Sequence, residues 1–481
     1  MYLGIDLGTS SVKLILINDL QEKIGQSSHA LTISQPKPLW SEQNPDDWWQ
    51  ATCKAVYSLK QQHPQEFAAI KAIALSGQQH GATLLDANGK ILRPAILWND
   101  GRAFKECEYF NTHVPHYTQT IGSRMMPGFT APKIQWIKHY ETAIFNRIAK
   151  VILPKDYLRY KITGEFATDM SDASGTGWLD IKKRDWSHAM LEATGLSLDH
   201  MPQLFEGNDI TGLISKNIAQ DWGLSENTKI IGGGGDNPAA AISTNVIEEG
   251  TGFLSLGTSG VYFVSSNTYT SNAHGGVHSF CHCLPNRWHH MTVHLSAASC
   301  LSWFAKTIKM SETELLAEAV QTSDSHDNLI FLPYLSGERS PHNNPHARGV
   351  FLGLSHQTSR AHMTKAILEG VAFAFADGQQ AMLNAGIKIN KVFVVGGGAQ
   401  SLYWGKILAS VLNRPLIYTK NREVGAATGA ALLAWSALNA NAHLSVPEVE
   451  AVISPDNQLV MEYAMKHKQF KELYQRLESF F

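Results

Sequence analysis

The feature that most limits the possible fold is a short phrase that occurs twice in the chain. Residues 2–17 read YLGIDLGTSSVKLILI, and residues 255–264 read SLGTSGVYFV. In both copies apolar residues flank a turn of Gly, Thr and Ser, which predicts two strands joined by a tight turn. Two such hairpins, about 250 residues apart, predict a duplicated domain.

The small turn residues leave backbone N–H groups and hydroxyls free at each tip, where a phosphate oxygen can approach. We therefore expect a nucleotide between the two copies, although one such turn alone is more often an ordinary hairpin. Asp6 precedes the first turn and is placed to hold Mg²⁺ through water, because Mg²⁺ is usually kept by one or two carboxylates. The predicted phosphate-binding residues are Gly8, Thr9, Ser10, Gly257, Thr258 and Ser259.

Length and composition bound the number of domains and the partners. With 481 residues, 44% of them apolar, the chain can bury two cores, which we place in residues 1–244 and 245–481. The closing helix carries an apolar stripe that is able to pack back on the first domain. A net charge of −2 indicates neither a nucleic-acid nor a membrane partner. Five cysteines and no visible targeting segment favour a reducing cytoplasm.

A second strong signal is the segment KIIGGGGDNPAAA at residues 229–241. Four glycines end a predicted strand, and Pro238 is a suitable first residue of the helix that follows. Asn237 would then be the N-cap, so that the carboxylate of Asp236 is free to face a glycine-floored cleft as a general base. The helix dipole should favour the ionised form of that carboxylate. The alternative is that Asp236 is itself the cap.

Two loops that follow predicted strands carry polar side chains suited to a ligand. The first, GQQHG at residues 77–81, contains Gln79 and His80. The second contains an amide, a carboxylate and a guanidinium in Asn99, Asp100 and Arg102, a set that suits a polyhydroxylated ligand, and Trp98 offers a flat wall for a sugar. The alternatives are a solvated connector and a surface ion pair.

The later part of the chain contains a third glycine segment, KVFVVGGGA at residues 391–399. Three glycines after a buried strand allow a flat ring such as adenine to lie on bare backbone, although a tight strand-to-helix connection explains them equally. Arg339 is a candidate phosphate or interdomain contact, and equally a surface arginine. The segment 278–290 is rich in histidine and cysteine, but its spacing favours a β-hairpin over a metal site.

These segments, taken in order, resemble the FGGY carbohydrate kinases, which share the fold superfamily of actin and hexokinase. The resemblance rests on the DLGTS turn, the LWNDGR loop, the GGGGDN segment and the GGGA strand end. Residues 349–369 match a second family signature, and the phrases GQQHGATLLD and LPYLSGERSPHNNP resemble members that act on D-xylulose. The resemblance covers essentially the whole chain.

The resemblance implies two actin-like, ribonuclease H-like α/β domains with a nucleotide and sugar cleft between them. It implies ATP-dependent phosphorylation of D-xylulose at the 5-hydroxyl, with Asp236 as base and Asp6 serving Mg²⁺ and the phosphates. The adenosine side falls to Gly397, Gly398 and Ala399. The sugar-binding residues that we expect are Gln79, His80, Asn99, Asp100, Arg102 and Asn237. A homodimer is compatible with the resemblance.

One position departs from the family pattern, because the resemblance implies Met before the histidine where this chain has Gln79. A backbone contact there would change little, whereas a side-chain contact would alter sugar preference. Two rival functions remain. One is a family kinase for ribulose, gluconate or glycerol, and the other is an ATP-switched chaperone or filament protein on the same fold.

Overall fold

The computed structural model describes residues 1–322, 329–420, 425–439 and 443–481. The strands of the first half are β1 Tyr2–Leu7, β2 Ser11–Ile17, β3 Lys23–Ala30, β4 Glu42–Gln43, β5 Ala72–Gly77, β6 Thr83–Leu85, β7 Ala95–Ile96, β8 Lys150–Ile152, β9 Ala167–Asp169, β10 Leu179–Asp180, β11 Asp185–Trp186, β12 Gln203–Phe205, β13 Ile210–Leu213 and β14 Lys229–Gly235. Its helices are α1 Pro45–Gln62, α2 Pro64–Ala68, α3 Phe104–His113, α4 Tyr117–Ile121, α5 Thr130–Tyr140, α6 Thr142–Phe145, α7 Pro154–Thr163, α8 Met170–Ala173, α9 His188–Thr194, α10 Lys216–Trp222 and α11 Asp236–Ser243.

The second half has fewer and longer elements among its described residues. Its strands are β15 Thr251–Leu256, β16 Gly260–Ser266, β17 His278–Cys281, β18 Trp288–His294, β19 Ile330–Leu332, β20 Val350–Leu352, β21 Lys391–Val395, β22 Leu416–Thr419 and β23 Val449–Ile453. Its helices are α12 Ala298–Ile308, α13 Glu312–Gln321, α14 Arg360–Asn384, α15 Leu402–Leu412, α16 Ala426–Leu438 and α17 Asn457–Leu477. None of the described helices is both long enough and apolar enough to span a bilayer.

The two halves contain the same sheet motif. The first sheet has the order β13-β14-β5-β1-β2-β3, and the second has the order β17-β18-β16-β15-β21-β22-β23. In the first, β1 pairs antiparallel with β2 and parallel with β5. In the second, β15 pairs antiparallel with β16 and parallel with β21. The predicted hairpins and the predicted duplication of an α/β domain are therefore confirmed.

One helix of the second half packs on the first half. The small residues of α16 lie against β1, β5 and α11, and they form a core with Tyr2, Ile15 and Ala74 of the first sheet. The approach is so close that a Cβ placed on Gly429 of α16 would lie 1.7 Å from the carbonyl oxygen of Ala239 in α11. The closing helix α17, which seemed able to return to the first domain, instead packs its Phe470 in the core of the second half. The division at residue 244 remains a prediction.

Candidate active site

The site lies where three parallel strands of the first sheet end side by side. In the register of β1 with β5, Asp6 is opposite Ser76, and in the register of β14 with β5, Gly235 is opposite Gly77. Because carboxyl ends of parallel strands meet at one sheet edge, Asp6, Gln79 and Asp236 are brought together from positions far apart in the chain.

The glycines before Asp236 give β14 an irregular end. The register of β14 with β5 shifts between Ile231 and Gly234, and Gly233 has a φ of +81°. A Cβ at Gly233 would lie 1.8 Å from the carbonyl oxygen of Leu75, so only glycine fits at this position. Helix α11 then begins at Asp236, with Gly235 as its N-cap and no side-chain capping bond. Both capping predictions were therefore wrong: neither Asn237 nor Asp236 is the cap.

The carboxylate of Asp236 is held by the residue that follows it. The backbone N–H and the side-chain amide of Asn237 both donate to Asp236 Oδ1, at 2.7 and 3.0 Å. Burial raises the pKa of Asp236 to about 6, and the bonds from Asn237 oppose that rise. The helix dipole was expected to favour the ionised form, but the largest influence on this pKa is desolvation, which acts in the opposite direction. The carboxylate is nevertheless mostly ionised at pH 7, as a base requires.

Asp6 faces the same space from β1. Its Oδ1 atom is buried and has no hydrogen-bond partner in the described part of the chain. Burial and the nearby charge of Asp236 raise the pKa of Asp6 to about 7. Two adjacent carboxylates, one with an orphaned oxygen, favour a bound cation, and oxygen ligands of this type suit Mg²⁺. The residues present therefore fit the predicted magnesium.

Gln79 and His80 line the same edge after β5. A Cβ at Gly235 would lie 2.5 Å from the amide nitrogen of Gln79, which places this side chain directly over the strand end before Asp236. Nδ1 of His80 donates to the carbonyl of Gly175 at 2.6 Å, so Nε2 of the neutral ring is an acceptor. Burial lowers the pKa of His80 to about 3, which keeps the ring neutral at pH 7. The ring stacks on Phe129 with centroids 4.8 Å apart.

The three polar residues predicted to bind sugar in the second loop, Asn99, Asp100 and Arg102, lie in different surroundings. Asp100 accepts two bonds from Arg102 Nε at 2.9 and 3.0 Å, and one from the backbone N–H of Ser41 at 2.6 Å. The Arg102 side chain is 1% exposed and stacks on Trp40, with the guanidinium carbon 3.6 Å from the ring centroid. This pair is buried and its polar atoms bond to protein groups that fix the loop, so a contact of Asp100 or Arg102 with sugar remains a prediction. Asn99 is exposed, and its contact with sugar remains a prediction.

The two turns predicted to bind phosphate are held by different hydrogen bonds. Thr9 Oγ1 donates to Gln78 Oε1 at 3.2 Å and accepts from the indole N–H of Trp98 at 2.9 Å. In the second turn, the carbonyls of Gly257 and Thr258 accept from the N–H groups of Ala298 and Ala297 at 2.9 and 3.0 Å. Thr258 and Ser259 are exposed, as is Ser10 in the first turn. Both tips therefore leave hydroxyls and amides available.

The third glycine segment forms a 3₁₀ turn at Gly397–Gln400 directly after β21. A Cβ at Gly397 would meet nothing within 4 Å, so this glycine faces open space. A Cβ at Gly398 would lie 2.9 Å from Leu256 Cβ, and Ala399 is buried in the second core. Only Gly397 thus presents a fully open backbone face, and a contact of Ala399 with adenosine would involve its backbone.

Arg339 and the histidine-rich hairpin lie near the first-half residues. Arg339 lines a small cavity with Ser123, Arg124 and His278, and its positive charge contributes to the lowered pKa of His80. The predicted hairpin is confirmed by β17 and β18. Its histidines are buried; the ring of His289 stacks on Phe263 at 4.4 Å. Across the described ranges, no three His, Cys, Asp or Glu side chains converge as a metal site.

Sequence analysis missed a buried charged cluster behind Asp236. Lys155 Nζ lies 2.6 Å from Asp156 Oδ1, 2.9 Å from Asp169 Oδ1 and 3.5 Å from Asp172 Oδ2. All four side chains are at most 1% exposed. The residues occur as PKD and DMSD, which look like ordinary loop sequences. The sequence feature that could have predicted the cluster is the presence of three acids and one lysine between otherwise apolar segments.

The fold and this arrangement of residues together define the class of protein to which the chain belongs. The chain belongs to the FGGY family of carbohydrate kinases: the model of the family's N-terminal domain matches residues 1–243, and that of its C-terminal domain matches residues 252–438. The predicted family and fold class are confirmed.

Among curated relatives, the xylulose kinase of Escherichia coli (strain K12) is 50% identical over 482 residues, with 99% of each chain covered. The crystal structure of a xyloylose kinase from Brucella ovis matches with a TM-score of 0.97 at 43% identity, covering 100% of both chains. A xylulose kinase from Rhodospirillum rubrum matches with a TM-score of 0.94 at 27% identity, covering 100% of this chain and 99% of that one.

Proposed function

We propose that this chain is an ATP-dependent kinase that transfers the γ-phosphoryl group of ATP to the 5-hydroxyl of D-xylulose. The observation that carries the proposal is the position of Asp236. It lies at the start of a helix, beside Asp6, on the sheet edge that also carries Gln79 and His80. Full-length similarity to xylulose kinases supports the choice of sugar.

The mechanism follows from the protonation states. Asp236, ionised above its raised pKa of about 6, accepts the proton of the 5-hydroxyl as the oxygen attacks the γ-phosphorus. The bond from the γ-phosphorus to the bridging oxygen breaks, and ADP leaves. Gln79 and the neutral ring of His80 orient the sugar, with His80 Nε2 accepting from a hydroxyl. Mg²⁺, held by Asp6 through water, would neutralise charge on the phosphates.

We assign the two turns around Thr9 and Thr258 to the phosphates from opposite sides, and the open face of Gly397 to adenosine. Water is a competing nucleophile, so the halves should close over the bound sugar before transfer. Small-angle scattering should show a smaller radius of gyration with sugar and a nonhydrolysable nucleotide than with neither. ATP-dependent chemistry and five free cysteines also favour a cytoplasmic location.

A coupled assay of ADP release across D-xylulose, D-ribulose, gluconate and glycerol tests the function. We expect D-xylulose to give the highest kcat/KM, with phosphate on carbon 5 of the product. A preference for another of these substrates would keep the kinase and change its sugar. Slow ATP hydrolysis that no sugar accelerates, with no phosphorylated product, would favour the chaperone or filament alternative.

A further inference from the structure

Residues 169–176, with the sequence DMSDASGT, contact three parts of the site at once. The carbonyl of Ser171 accepts from the Gln79 amide at 3.2 Å, and its hydroxyl accepts from the N–H of Gly235 at 3.1 Å. Four residues later, the carbonyl of Gly175 accepts from His80. The groups proposed to orient the sugar and the strand end that carries the base are therefore tied to one short segment.

The position of Ser171 is fixed by buried charged residues, Asp169 and Lys155. Its hydroxyl donates to Asp169 Oδ2, which also accepts the N–H groups of Ser171 and Asp172 at 2.7 and 3.2 Å. The other oxygen of Asp169 lies 2.9 Å from Lys155 Nζ. Burial disfavours the charge on Lys155, but Asp156, Asp169 and Asp172 outweigh it and raise the pKa of the lysine. The anchor is thus a buried lysine, held in its charged form by the surrounding acids, with no access to solvent.

Such a cluster is an expensive way to stabilise a fold. Burying ions gains little over well-packed apolar residues, whereas buried hydrogen-bonded charges fix geometry. The hydroxyl of Ser171 has its proton committed to Asp169, so its lone pairs are aimed at Gly235 and cannot rotate away. A fixed acceptor at this point sets the position of the backbone immediately before Asp236.

We propose that Ser171 is a positioning residue for phosphoryl transfer: its carbonyl and its hydroxyl hold the sugar-orienting amide of Gln79 and the strand end before the base at one fixed separation. This inference rests on the proposed function. Its mechanism is geometric, because small displacements of a base from its substrate lower the rate without changing the binding of a distant nucleotide.

The test compares Ser171→Ala with Ser265→Ala. Both serines are completely buried, and the Ser265 hydroxyl donates to the carbonyl of Ile247 at 3.0 Å, but Ser265 lies in β16 of the second sheet and makes no hydrogen bond to Gln79 or Gly235 among the described residues. For Ser171→Ala we expect kcat with D-xylulose to fall about tenfold or more, while KM for ATP stays within about twofold. For Ser265→Ala we expect both constants to stay within about twofold.

Thermal unfolding with and without ATP establishes that each variant is folded. If Ser171→Ala does not fold, Ser171→Cys keeps the volume with only a weak hydrogen-bonding group and should lose kcat at least fivefold. Equal kcat for the Ser171 and Ser265 variants, or a kcat loss below twofold for Ser171→Cys, would overturn the inference. Failure of the unsubstituted chain to phosphorylate D-xylulose would overturn the proposed function, and this inference with it.

Discussion

The two halves of the molecule present the same hairpin to the cleft, but different residues follow on the neighbouring strand. DLGTS at residues 6–10 and SLGTS at residues 255–259 differ only at the first position, where Asp6 corresponds to Ser255. A Cβ at Gly77 would lie 3.1 Å from the carbonyl oxygen of Leu7, and one at Gly396 would lie 2.9 Å from that of Leu256. The backbones thus correspond up to these two glycines.

Beyond the glycines the halves diverge. The first half continues with Gln78, Gln79 and His80, whereas the second continues with Gly397, Gly398 and Ala399. One half therefore offers acids, amides and an imidazole, and the other offers mostly bare backbone. Under the proposed function, the duplication supplies a phosphate-binding turn twice, whereas the side chains assigned to proton transfer and sugar selection occur on the first copy.

The largest effect should come from Asp236→Asn, which removes the base and nearly keeps the volume. We expect kcat to fall by about 10²–10⁴-fold, while ATP still raises the Tm, because the proposed nucleotide contacts are made by other residues. Steady-state kinetics and thermal shift measure the two. Near-normal turnover would contradict the assignment of proton transfer to Asp236 in the first half.

Asp6→Asn makes the first hairpin more like the second. We expect kcat to fall about tenfold to a hundredfold, and Mg²⁺ with ATP to raise the Tm less than in the unsubstituted chain. The substitution should also stabilise the free protein at pH 8. Because the pKa of Asp6 is raised to about 7 from an ordinary 3.8, its ionised form costs stability that accumulates between these pH values and is absent below them.

Differential scanning fluorimetry at two pH values checks this sign. The Tm gain of Asp6→Asn should be a few degrees at pH 8, and it should vanish near pH 4. A gain of equal size at both pH values would show that the carboxylate charge is not its cause.

Gly397→Leu tests the bare face of the second half. Because nothing lies within 4 Å of a Cβ there, the fold should tolerate the side chain, while adenosine would meet it. We expect KM for ATP to rise about tenfold with an unchanged Tm. Gly398→Ala is the contrasting control, since its Cβ would meet Leu256 and should lower the Tm. An unchanged KM for ATP in Gly397→Leu would place adenosine elsewhere.

The smallest effect is expected from Gln79→Met, which restores the residue implied by the family resemblance. The side chain is buried, and its amide donates to the carbonyl of Ser171 at 3.2 Å. We expect KM for D-xylulose to change about threefold or less and kcat to fall less than in Ser171→Ala, because the hydroxyl of Ser171 still holds the strand end before Asp236. Measuring kcat/KM for D-xylulose and D-ribulose side by side would reveal any larger role in choosing the sugar.

The sequence predicted what is encoded locally. Both hairpins, the strand that leads to Asp236 and the glycine turn after β21 follow from turn residues and apolar runs within a few positions. The capping prediction failed because the β14 irregularity, which depends on packing against Leu75, starts the helix two residues earlier than Pro238 suggests.

Electrostatic properties were harder to predict because they depend on distant segments. The pKa of Asp236 follows from burial, which no local pattern reports. Arg102 is occupied by Asp100 and Trp40, and Trp40 precedes it by some sixty residues. The cluster around Lys155 joins two segments that each look like plain loops. Contacts over such separations cannot be read from one sequence.

The helix α16 restricts how this chain can be divided. Its alanines cover the face of the first sheet formed by Tyr2, Ile15 and Ala74, and it lies directly under the helix that carries Asp236. A fragment ending at residue 244 would expose that face to water and lose the support of the helix that carries Asp236. Circular permutants or split versions of the chain should therefore keep residues 425–439 with the N-terminal part, although the chain order places them in the C-terminal part.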